Sequence, residues 1–287
     1  MRSGFVAVAG RPNVGKSTLV NALVGEKVAI VSRVPHTTRH RIRGVHTTDD
    51  AQLVLVDLPG WQRPIDTLTE RMQGRVEEAM ADDVDTVLLV VSARDRIGAG
   101  DRYVARHVFA LGVPVVIALN KIDRLKAGHI ATQMKTAATL GDFHALHPVS
   151  AKTGDGIGEL RDDLVSLLPE GPAYYPADEK TDMPLAARIA ELVREQALRL
   201  TKEEVPHAVT AEVVEIDDRR VHVRIYTETE SQKQILIGKG GTMVREIGRW
   251  ARPAIEQLLG HSVYLQLQVK SSPKWRRNET MLERLGL

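Results

Sequence analysis

Short apolar runs alternate with helix-like segments along the first 168 residues of the chain. The runs are nearly continuous in aliphatic residues, and they cover residues 5–10, 53–58, 86–91, 113–120 and 145–150. Between them, apolar residues recur at helical spacing, as in KSTLVNALVG and DTLTERMQGRVEEAMADD. Apolar strands separated by helices predict an α/β domain whose mainly parallel sheet is covered by helices on both faces.

One pair of runs breaks this alternation. In RHRIRGVHTTDDAQLVLVDL, residues 39–58, the two strand-like runs are joined only by a polar TTDD turn. A connection this short suits antiparallel neighbours, because parallel strands need a longer crossover. The sequence therefore predicts a mixed, six-stranded sheet with one antiparallel edge strand.

The pattern changes after residue 168. Residues 169–184, PEGPAYYPADEKTDMP, hold four prolines and little apolar sequence. Proline fixes φ and removes a backbone donor, so we expect residues 169–183 to form a linker and not a packed element. A helix, two strands, a glycine-rich helix start, another strand and a short basic tail helix follow. This order predicts a first domain at 1–168 and a separate α+β domain at 184–287.

Composition narrows the class of protein. The 287 residues are enough for two domains, and 43% hydrophobic with 26% charged residues is ordinary globular composition. Cysteine is absent, which excludes disulfides and thiol chemistry and fits a reducing cytoplasm. The apolar run at 86–91 is far shorter than the ~20 residues of a membrane span. We therefore expect a cytoplasmic protein.

A phosphate-binding loop is predicted at residues 10–18, GRPNVGKST. The segment matches G-x-x-x-x-G-K-S, with a predicted strand before it and a helix after it. In such a loop the backbone N–H groups point at phosphate oxygens, Lys16 neutralises phosphate charge and the Ser17 hydroxyl meets Mg²⁺. A merely flexible glycine turn is the weaker alternative.

Three further segments follow in order, each at the end of a predicted strand. Asp57 in DLPG can hold Mg²⁺, and the Gly60 amide can meet the γ-phosphate. Asp123 in NKID can accept hydrogen bonds from guanine N1–H and its 2-amino group, donors that adenine lacks. Ala151 in SAK can offer its amide to guanine O6. Ligands bind at this edge of open α/β sheets, and the set resembles translation-factor-type GTPases.

This resemblance implies binding of GTP or GDP with Mg²⁺ and hydrolysis of GTP. The predicted nucleotide-binding residues are Gly10, Arg11, Pro12, Asn13, Val14, Gly15, Lys16, Ser17, Thr18, Asp57, Leu58, Pro59, Gly60, Asn120, Lys121, Asp123, Ser150, Ala151 and Lys152. The predicted metal ligands are Ser17, Asp57 and a threonine of PHTTRHR. The family pattern favours Thr38 over Thr37, although their spacing leaves both open.

The resemblance also bears on hydrolysis, for which the candidate residues are Lys16, Thr38, Gly60 and Asn13. Many GTPases place a water-orienting glutamine directly after D-x-x-G, where this chain has Trp61. Because Trp cannot orient a water molecule in that way, we expect slow intrinsic turnover. GTPases with GxPNxGKS can use the loop asparagine, here Asn13, to hold K⁺ near the β/γ bridge. Asparagine is also a common left-handed turn residue, so both roles stay open.

A second glycine-rich turn occurs in ILIGKGGTMVREIGRW, residues 235–250. It matches the I-G-x-x-G turn of a KH domain, where the backbone approaches single-stranded nucleic acid closely. Net charge changes from −3 over 184–230 to +6 over 231–287, which places a basic face around this turn and the tail SSPKWRRN. The predicted RNA-binding residues are Gly238, Lys239, Gly240, Gly241, Arg245, Lys274, Trp275, Arg276 and Arg277.

The two tryptophans of this region receive opposite predictions. Trp250 is expected in the helix core, whereas Trp275, flanked by basic residues, is a candidate surface on which a base stacks. The alternative for the whole region is a merely solvated basic face.

The order of one GTPase domain, a linker and one KH domain of type II resembles the Era-like GTPases. The residues that carry this resemblance are GRPNVGKST, TTRHRIRG, DLPG, NKID, VSAKTGDGI, LPEGP and IGKGG. It implies a monomeric ribosome-assembly factor that binds the 3′ end of 16S rRNA, acts in maturation of the small (30S) subunit and associates peripherally with the inner membrane. The competing hypothesis is a signalling or trafficking GTPase whose C-terminal domain binds protein.

Overall fold

The computed structural model describes residues 1–35, 37–60, 65–81 and 84–287. They form two compact units. The N-terminal unit comprises Met1–Ala29, Thr38–Pro64 and Arg71–Asp182, and the C-terminal unit comprises Ile30–Thr37, Ile65–Glu70 and Met183–Leu287. The predicted second domain thus gains two short segments from the N-terminal half of the chain.

The N-terminal unit is built on a six-stranded sheet. Its strands are β1 (Arg2–Ala9), β2 (Ile42–Thr47), β3 (Ala51–Asp57), β4 (Thr86–Ser92), β5 (Val115–Asn120) and β6 (Ala145–Val149). They lie in the order β2-β3-β1-β4-β5-β6, and only β2 with β3 is antiparallel. The predicted mixed sheet with one hairpin edge is confirmed.

Helices cover both faces of this sheet. They are α1 (Lys16–Val24), α2 (Thr67–Ala81), α3 (Ala99–Phe109), α4 (Ala127–Ala137) and α5 (Ile157–Ser166). Successive strand residues alternate between faces, so Val6 and Val8 pack with α1 and α5, while Ala7 and Ala9 pack with α2, α3 and α4. Strands buried on both sides explain why their sequences are continuously apolar.

The segment predicted as an unpacked linker is packed against the N-terminal unit. Gln52 of β3 is fully buried, and its side chain donates to the Tyr175 carbonyl at 2.8 Å and accepts from the Tyr174 and Tyr175 amides. Thr181 makes an antiparallel bridge with Gly44 of the edge strand β2. The prediction for 169–183 is wrong for two reasons: the buried Gln52 amide binds the backbone of this segment, and the edge strand β2 has free backbone groups that it can still pair with.

The C-terminal unit has a three-stranded sheet and an α-β-β-α-α-β core order, which confirms the predicted type II KH fold. Its strands are β7 (Thr210–Ile216), β8 (Arg220–Thr227) and β9 (Tyr264–Ser271). Its helices are α6 (Leu185–Leu200), α7 (Val205–Ala208), α8 (Glu230–Ile237), α9 (Thr242–Leu259) and α10 (Glu279–Arg284). Strand β8 is antiparallel to β7 and parallel to β9.

The apolar core of this unit lies between one face of the sheet and helices α6, α8 and α9. Residues Ile247, Ala251 and Ile255 recur at helical spacing along α9 and are buried there. Trp275 is also fully buried, and its indole Nε1 donates to the Ala208 carbonyl at 2.8 Å. Trp250 is 45% exposed. Both tryptophan predictions are therefore wrong: Trp275 belongs to the core and Trp250 to the surface.

Within the described part of the chain, no helix is long and apolar enough to cross a membrane.

Candidate functional site

The loop between β1 and α1 has the backbone geometry of an anion-binding turn. Gly10, Asn13 and Gly15 all have positive φ, at 153°, 64° and 102°. A Cβ at Gly10 would lie 2.6 Å from the Val90 carbonyl oxygen, so no other residue fits there. Gly15 precedes α1 without a side-chain cap, which leaves the helix's first N–H groups available for phosphate.

Lys16 is buried in the centre of this loop. Its Nζ donates to the carbonyl oxygens of Gly10 at 3.1 Å and Arg11 at 3.2 Å. Burial lowers the pKa of Lys16 to about 8, and the nearby Asp57 carboxylate opposes that shift. The ammonium is thus held by neutral carbonyls in a position that an anion would stabilise.

Ser17, Thr38 and Asp57 converge beside Lys16. The Ser17 hydroxyl donates to Asp57 Oδ2 at 2.7 Å, and its Oγ lies 2.9 Å from Thr38 Oγ1. Burial raises the pKa of Asp57, while Lys16 and the two hydroxyls act in the opposite direction. Asp57 Oδ1 is buried without a hydrogen-bond partner among the described residues. Two hydroxyls and a carboxylate with an unsatisfied oxygen are a donor set that fits Mg²⁺.

The two candidate threonines occupy different surroundings. Thr38 is buried with Ser17 and Asp57 in the N-terminal unit, whereas Thr37 belongs to the C-terminal unit. The Thr37 hydroxyl donates to the Val34 carbonyl at 2.6 Å, and its own carbonyl accepts from Arg194. Only Thr38 has its hydroxyl beside the other predicted metal ligands.

The DLPG segment lies against the phosphate loop. Leu58, Pro59 and Gly60 are buried, and a Cβ at Gly60 would lie 2.9 Å from the Pro12 ring. Trp61 and the water-orienting position it occupies lie outside the described residues.

Within the phosphate loop, Arg11 Nε forms an ion pair with Asp101 Oδ1 at 2.7 Å. Arg11 was predicted to bind nucleotide, and Asp101, a partner with no sequence signature, fixes its side chain.

Asn120 joins the phosphate loop to the two segments predicted to hold guanine. Its Nδ2 donates to the Val14 carbonyl at 3.1 Å, and its Oδ1 accepts from the Ala151 amide at 3.0 Å. Lys121, in a left-handed conformation, donates from Nζ to the Asn13 carbonyl. Side-chain hydrogen bonds therefore link the ends of β1, β5 and β6.

Asp123 and its neighbours complete this end of the site. Asp123 Oδ1 accepts from the Ser150 hydroxyl at 3.3 Å, and Ser150 is buried. Lys152 is exposed and Thr18 is half-buried. The carboxylate of Asp123 is only partly covered, so a base placed over Lys121 and Ala151 can reach it.

The glycine turn of the C-terminal unit joins α8 to α9. Gly240 and Gly241 have φ of 59° and 77°, and a Cβ at either would meet nothing within 4 Å. Lys239, Gly240 and Arg245 are exposed. The turn therefore presents bare backbone and positive charge to solvent, as close approach by a phosphate backbone requires.

The basic tail divides into exposed and engaged residues. Lys274 and Arg277 are exposed, which is compatible with the predicted RNA contact. Arg276 instead pairs with Asp66 at 2.8 Å and with Glu228 at 3.6 Å, and Trp275 is in the core. The predicted stacking role of Trp275 is excluded because no face of its ring is open.

The sequence contains a signal for the exposure of Trp250. Ile247, Ala251 and Ile255 define the buried stripe of α9, and Trp250 lies one residue before Ala251, about 100° around the helix. That offset places the indole at the margin of the stripe and not at its centre.

Two family models match this chain. One described as 50S ribosome-binding GTPase matches residues 5–121, and one described as KH domain matches residues 199–276. Together they match strands β1 to β5 with the phosphate loop and the DLPG segment, and most of the C-terminal unit.

Among curated proteins, GTPase Era of Mycobacterium tuberculosis (strain ATCC 25618 / H37Rv) is 45% identical over 295 residues, covering 99% of this chain and 98% of the relative. GTPase Era of Mycobacterium avium (strain 104) is 44% identical with the same coverage.

Solved structures of Era proteins are similar to this chain along its whole length. A single-residue variant of Aquifex aeolicus Era bound to GDP·AlF4⁻ superimposes with a TM-score of 0.95 at 35% identity, covering 100% of this chain and 99% of that one. Era in complex with MgGDPNP and nucleotides 1506–1542 of 16S ribosomal RNA gives 0.94 at the same identity and coverage. With this identity along nearly its whole length, the chain belongs to the Era family of KH-domain GTPases.

Proposed function

We propose that this chain binds Mg²⁺ with GTP at the β1–α1 loop and couples the nucleotide cycle to binding of 16S rRNA. The observation that carries the first part is the meeting of Ser17, Thr38 and Asp57 beside the buried ammonium of Lys16. The unpartnered Asp57 Oδ1 supports a cation at this point. In this arrangement the protein supplies hydroxyl and carboxylate oxygens, and the phosphates supply the remaining charge.

Guanine selection rests on Asp123 in this proposal. Ser150 donates to one carboxylate oxygen, and Asn120 holds the Ala151 amide nearby. Guanine offers two donors to the carboxylate and one acceptor to the amide. Adenine offers neither donor, so Asp123 would lose its solvent partners without compensation.

In hydrolysis, the residues position groups and stabilise charge. Lys16 would neutralise charge on the β- and γ-phosphates, and Thr38 and the Gly60 amide would meet the γ-phosphate. Bound Mg²⁺ would supply positive charge that stabilises the phosphoryl group during transfer. Slow intrinsic turnover remains part of the proposal. The left-handed φ of Asn13 suits a turn residue. A K⁺ ion held by its side chain would add positive charge near the β/γ bridge.

RNA binding by the C-terminal unit is supported by the exposed turn at Gly238–Gly241 with Lys239 and Arg245. A relative in the same family was crystallised with nucleotides 1506–1542 of 16S ribosomal RNA. We therefore propose that this chain binds the 3′ end of 16S rRNA and acts in maturation of the 30S subunit. Lys274 and Arg277 would add phosphate contacts, because both are exposed.

The proposal includes four further points, on oligomeric state, location, membrane association and coupling, and family membership supports them. The protein acts as a monomer, it resides in the cytoplasm and it associates loosely with the inner membrane surface. Nucleotide state sets its affinity for RNA, so that hydrolysis releases it from an assembly intermediate.

The test combines two assays on the full chain. Phosphate release from GTP is followed with Mg²⁺, with ATP as the matched control substrate. Binding of a labelled strand copying the 3′ end of 16S rRNA is compared with a scrambled strand of equal length. We expect slow hydrolysis of GTP alone and preference for the natural strand. Hydrolysis of both nucleotides would contradict the guanine site, and equal affinity for both strands would contradict the proposed rRNA specificity.

A further inference from the structure

An exposed tryptophan lies close to two arginines on the C-terminal unit. Trp250 of α9 is 45% exposed, although a lone indole normally buries most of its surface. The guanidinium of Arg249 lies 5.2 Å from the ring centroid, and that of Arg199, in the last turn of α6, lies 5.3 Å from it. Both distances are within the range of a cation–π interaction.

The ring is held in a fixed orientation. Glu246, one turn earlier on α9, accepts the indole N–H at 3.2 Å and lies 3.7 Å from Arg249. Arg199 forms no ion pair within the described part of the chain. The group therefore has two cations, one carboxylate and an indole that is 45% exposed to solvent.

We propose that Trp250, Arg199 and Arg249 form a stacking platform for an unpaired base of RNA, with the guanidiniums contacting its flanking phosphates. Every base has a π-face that can stack on an indole, and arginine pairs with phosphate. The inference deepens the proposed rRNA binding and rests on it. The proposed platform is a second RNA contact, outside the glycine turn at Gly238–Gly241.

The surroundings of Trp250 favour RNA over a membrane or a protein partner. The side chains that contact its indole are charged: Glu246 accepts the indole N–H, and Arg199 and Arg249 lie within 5.3 Å of the ring centroid. A docked protein or a lipid surface would cover a wider apolar area. A single base matches a single ring.

The platform is separate from the turn but within reach of the same RNA. Trp250 lies eight residues after Thr242, where α9 begins, which is a rise of about 12 Å along the helix. Gly248 faces Leu267 of β9, whereas Trp250, two residues later, faces α6. Residues two apart lie on different sides of a helix. An RNA longer than the four nucleotides that a KH turn clamps is needed to reach both.

The experiment measures the affinity of the full chain for two RNAs. One copies nucleotides 1506–1542 of 16S ribosomal RNA, and the other is a strand of about four nucleotides, the length that a KH turn clamps. Trp250→Ala should weaken binding of the long RNA about tenfold and leave the short strand unchanged. Trp250→Phe retains a stacking face and should bind the long RNA nearly as the wild type does. Tyr103→Ala, a change at an aromatic of similar exposure (41%) in the N-terminal unit, is the matched control.

Two further measurements make the result specific. Arg199→Gln should reduce the slope of log affinity against log salt by about 0.7 for the long RNA, as expected when one phosphate contact is lost. The long RNA should also quench part of the tryptophan fluorescence of the wild type, and Trp250→Phe should lose the quenched part of the signal.

The outcomes separate this inference from the proposed function. The platform would be overturned if Trp250→Ala bound the long RNA with wild-type affinity. It would also be overturned if, in a parallel assay with vesicles of phosphatidylglycerol and phosphatidylcholine, this variant lost binding to the vesicles and not to the RNA. If Lys239→Asp with Gly240→Asp abolishes binding of both RNAs, the proposed function stands whichever way the Trp250 result falls. If that double variant binds both RNAs normally, the proposed function fails.

Discussion

Thr38 Oγ1 lies 2.9 Å from Ser17 Oγ, while the adjacent Thr37 directs its hydroxyl to the Val34 carbonyl. The contact between Ser17 and Thr38 therefore distinguishes two threonines whose spacing alone leaves both open as the metal ligand. Thr38→Ala should weaken Mg²⁺-dependent binding of a non-hydrolysable GTP analogue about tenfold, or ~1.4 kcal/mol, and change GDP binding little. Thr37→Ala is the matched control. Equal losses in both variants, measured by calorimetry with and without Mg²⁺, would contradict the assignment.

Lys16 should make nucleotide affinity depend on pH. Its pKa of about 8 means that, without bound nucleotide, the Lys16 amine is mostly protonated below pH 8 and mostly neutral above it. Bound phosphates would raise this pKa, so binding takes up a proton above pH 8. Affinity should be flat below pH 7 and fall by up to about tenfold between pH 8 and pH 9. Calorimetry in buffers of different ionisation enthalpy measures the proton uptake. Lys16→Gln should abolish it, and uptake that persists in this variant would assign it to another group.

Asp123 should determine which base is bound. Asp123→Asn replaces a pure acceptor with an amide that also donates, so GTP should bind about a hundredfold more weakly. Xanthosine triphosphate has a carbonyl in place of the 2-amino group and should bind the variant more tightly than the wild type. Competition assays with both nucleotides measure the exchange. Unchanged preference for GTP would show that Asp123 does not contact the base.

Much of the fold was predictable because two features of the N-terminal half, its apolar runs and its loop glycines, depend on local sequence alone. Continuous apolar runs marked the strands of the parallel sheet, and the loop glycines marked positions with positive φ. The order of three short motifs at strand ends also predicted which residues the structure brings together. Asn120, for example, reaches both Val14 and Ala151.

The errors arise where distant contacts decide the outcome. Proline content predicted a free segment at 169–183, but the buried amide of Gln52 binds its backbone. Trp275 follows a basic residue and precedes two more, yet the Ala208 carbonyl holds it in the core. Arg276 is engaged by Asp66, which is more than two hundred positions away in the sequence. No local pattern encodes such partners.

Asn13 gives a test of K⁺ dependence in hydrolysis. Its φ of 64° is one that glycine adopts freely, so Asn13→Gly should keep the loop conformation and remove only the side chain. If the asparagine holds K⁺, wild-type phosphate release should be several-fold faster in K⁺ than in Na⁺, and the variant should lose this difference. Equal wild-type rates in the two salts would leave Asn13 as a turn residue alone.

The central claim is that the turn at Gly238–Gly241 binds rRNA in a protein whose other unit binds GTP. It is tested most directly by titrating a labelled strand that copies the 3′ end of 16S rRNA, with GDP and with a non-hydrolysable GTP analogue. Wild type is compared with Lys239→Asp combined with Gly240→Asp, and Lys202→Asp serves as an exposed control in the same unit. The account predicts binding that depends on the nucleotide, survives in the control and is lost in the double variant. Equal affinity of the double variant and the wild type under both nucleotides would contradict it.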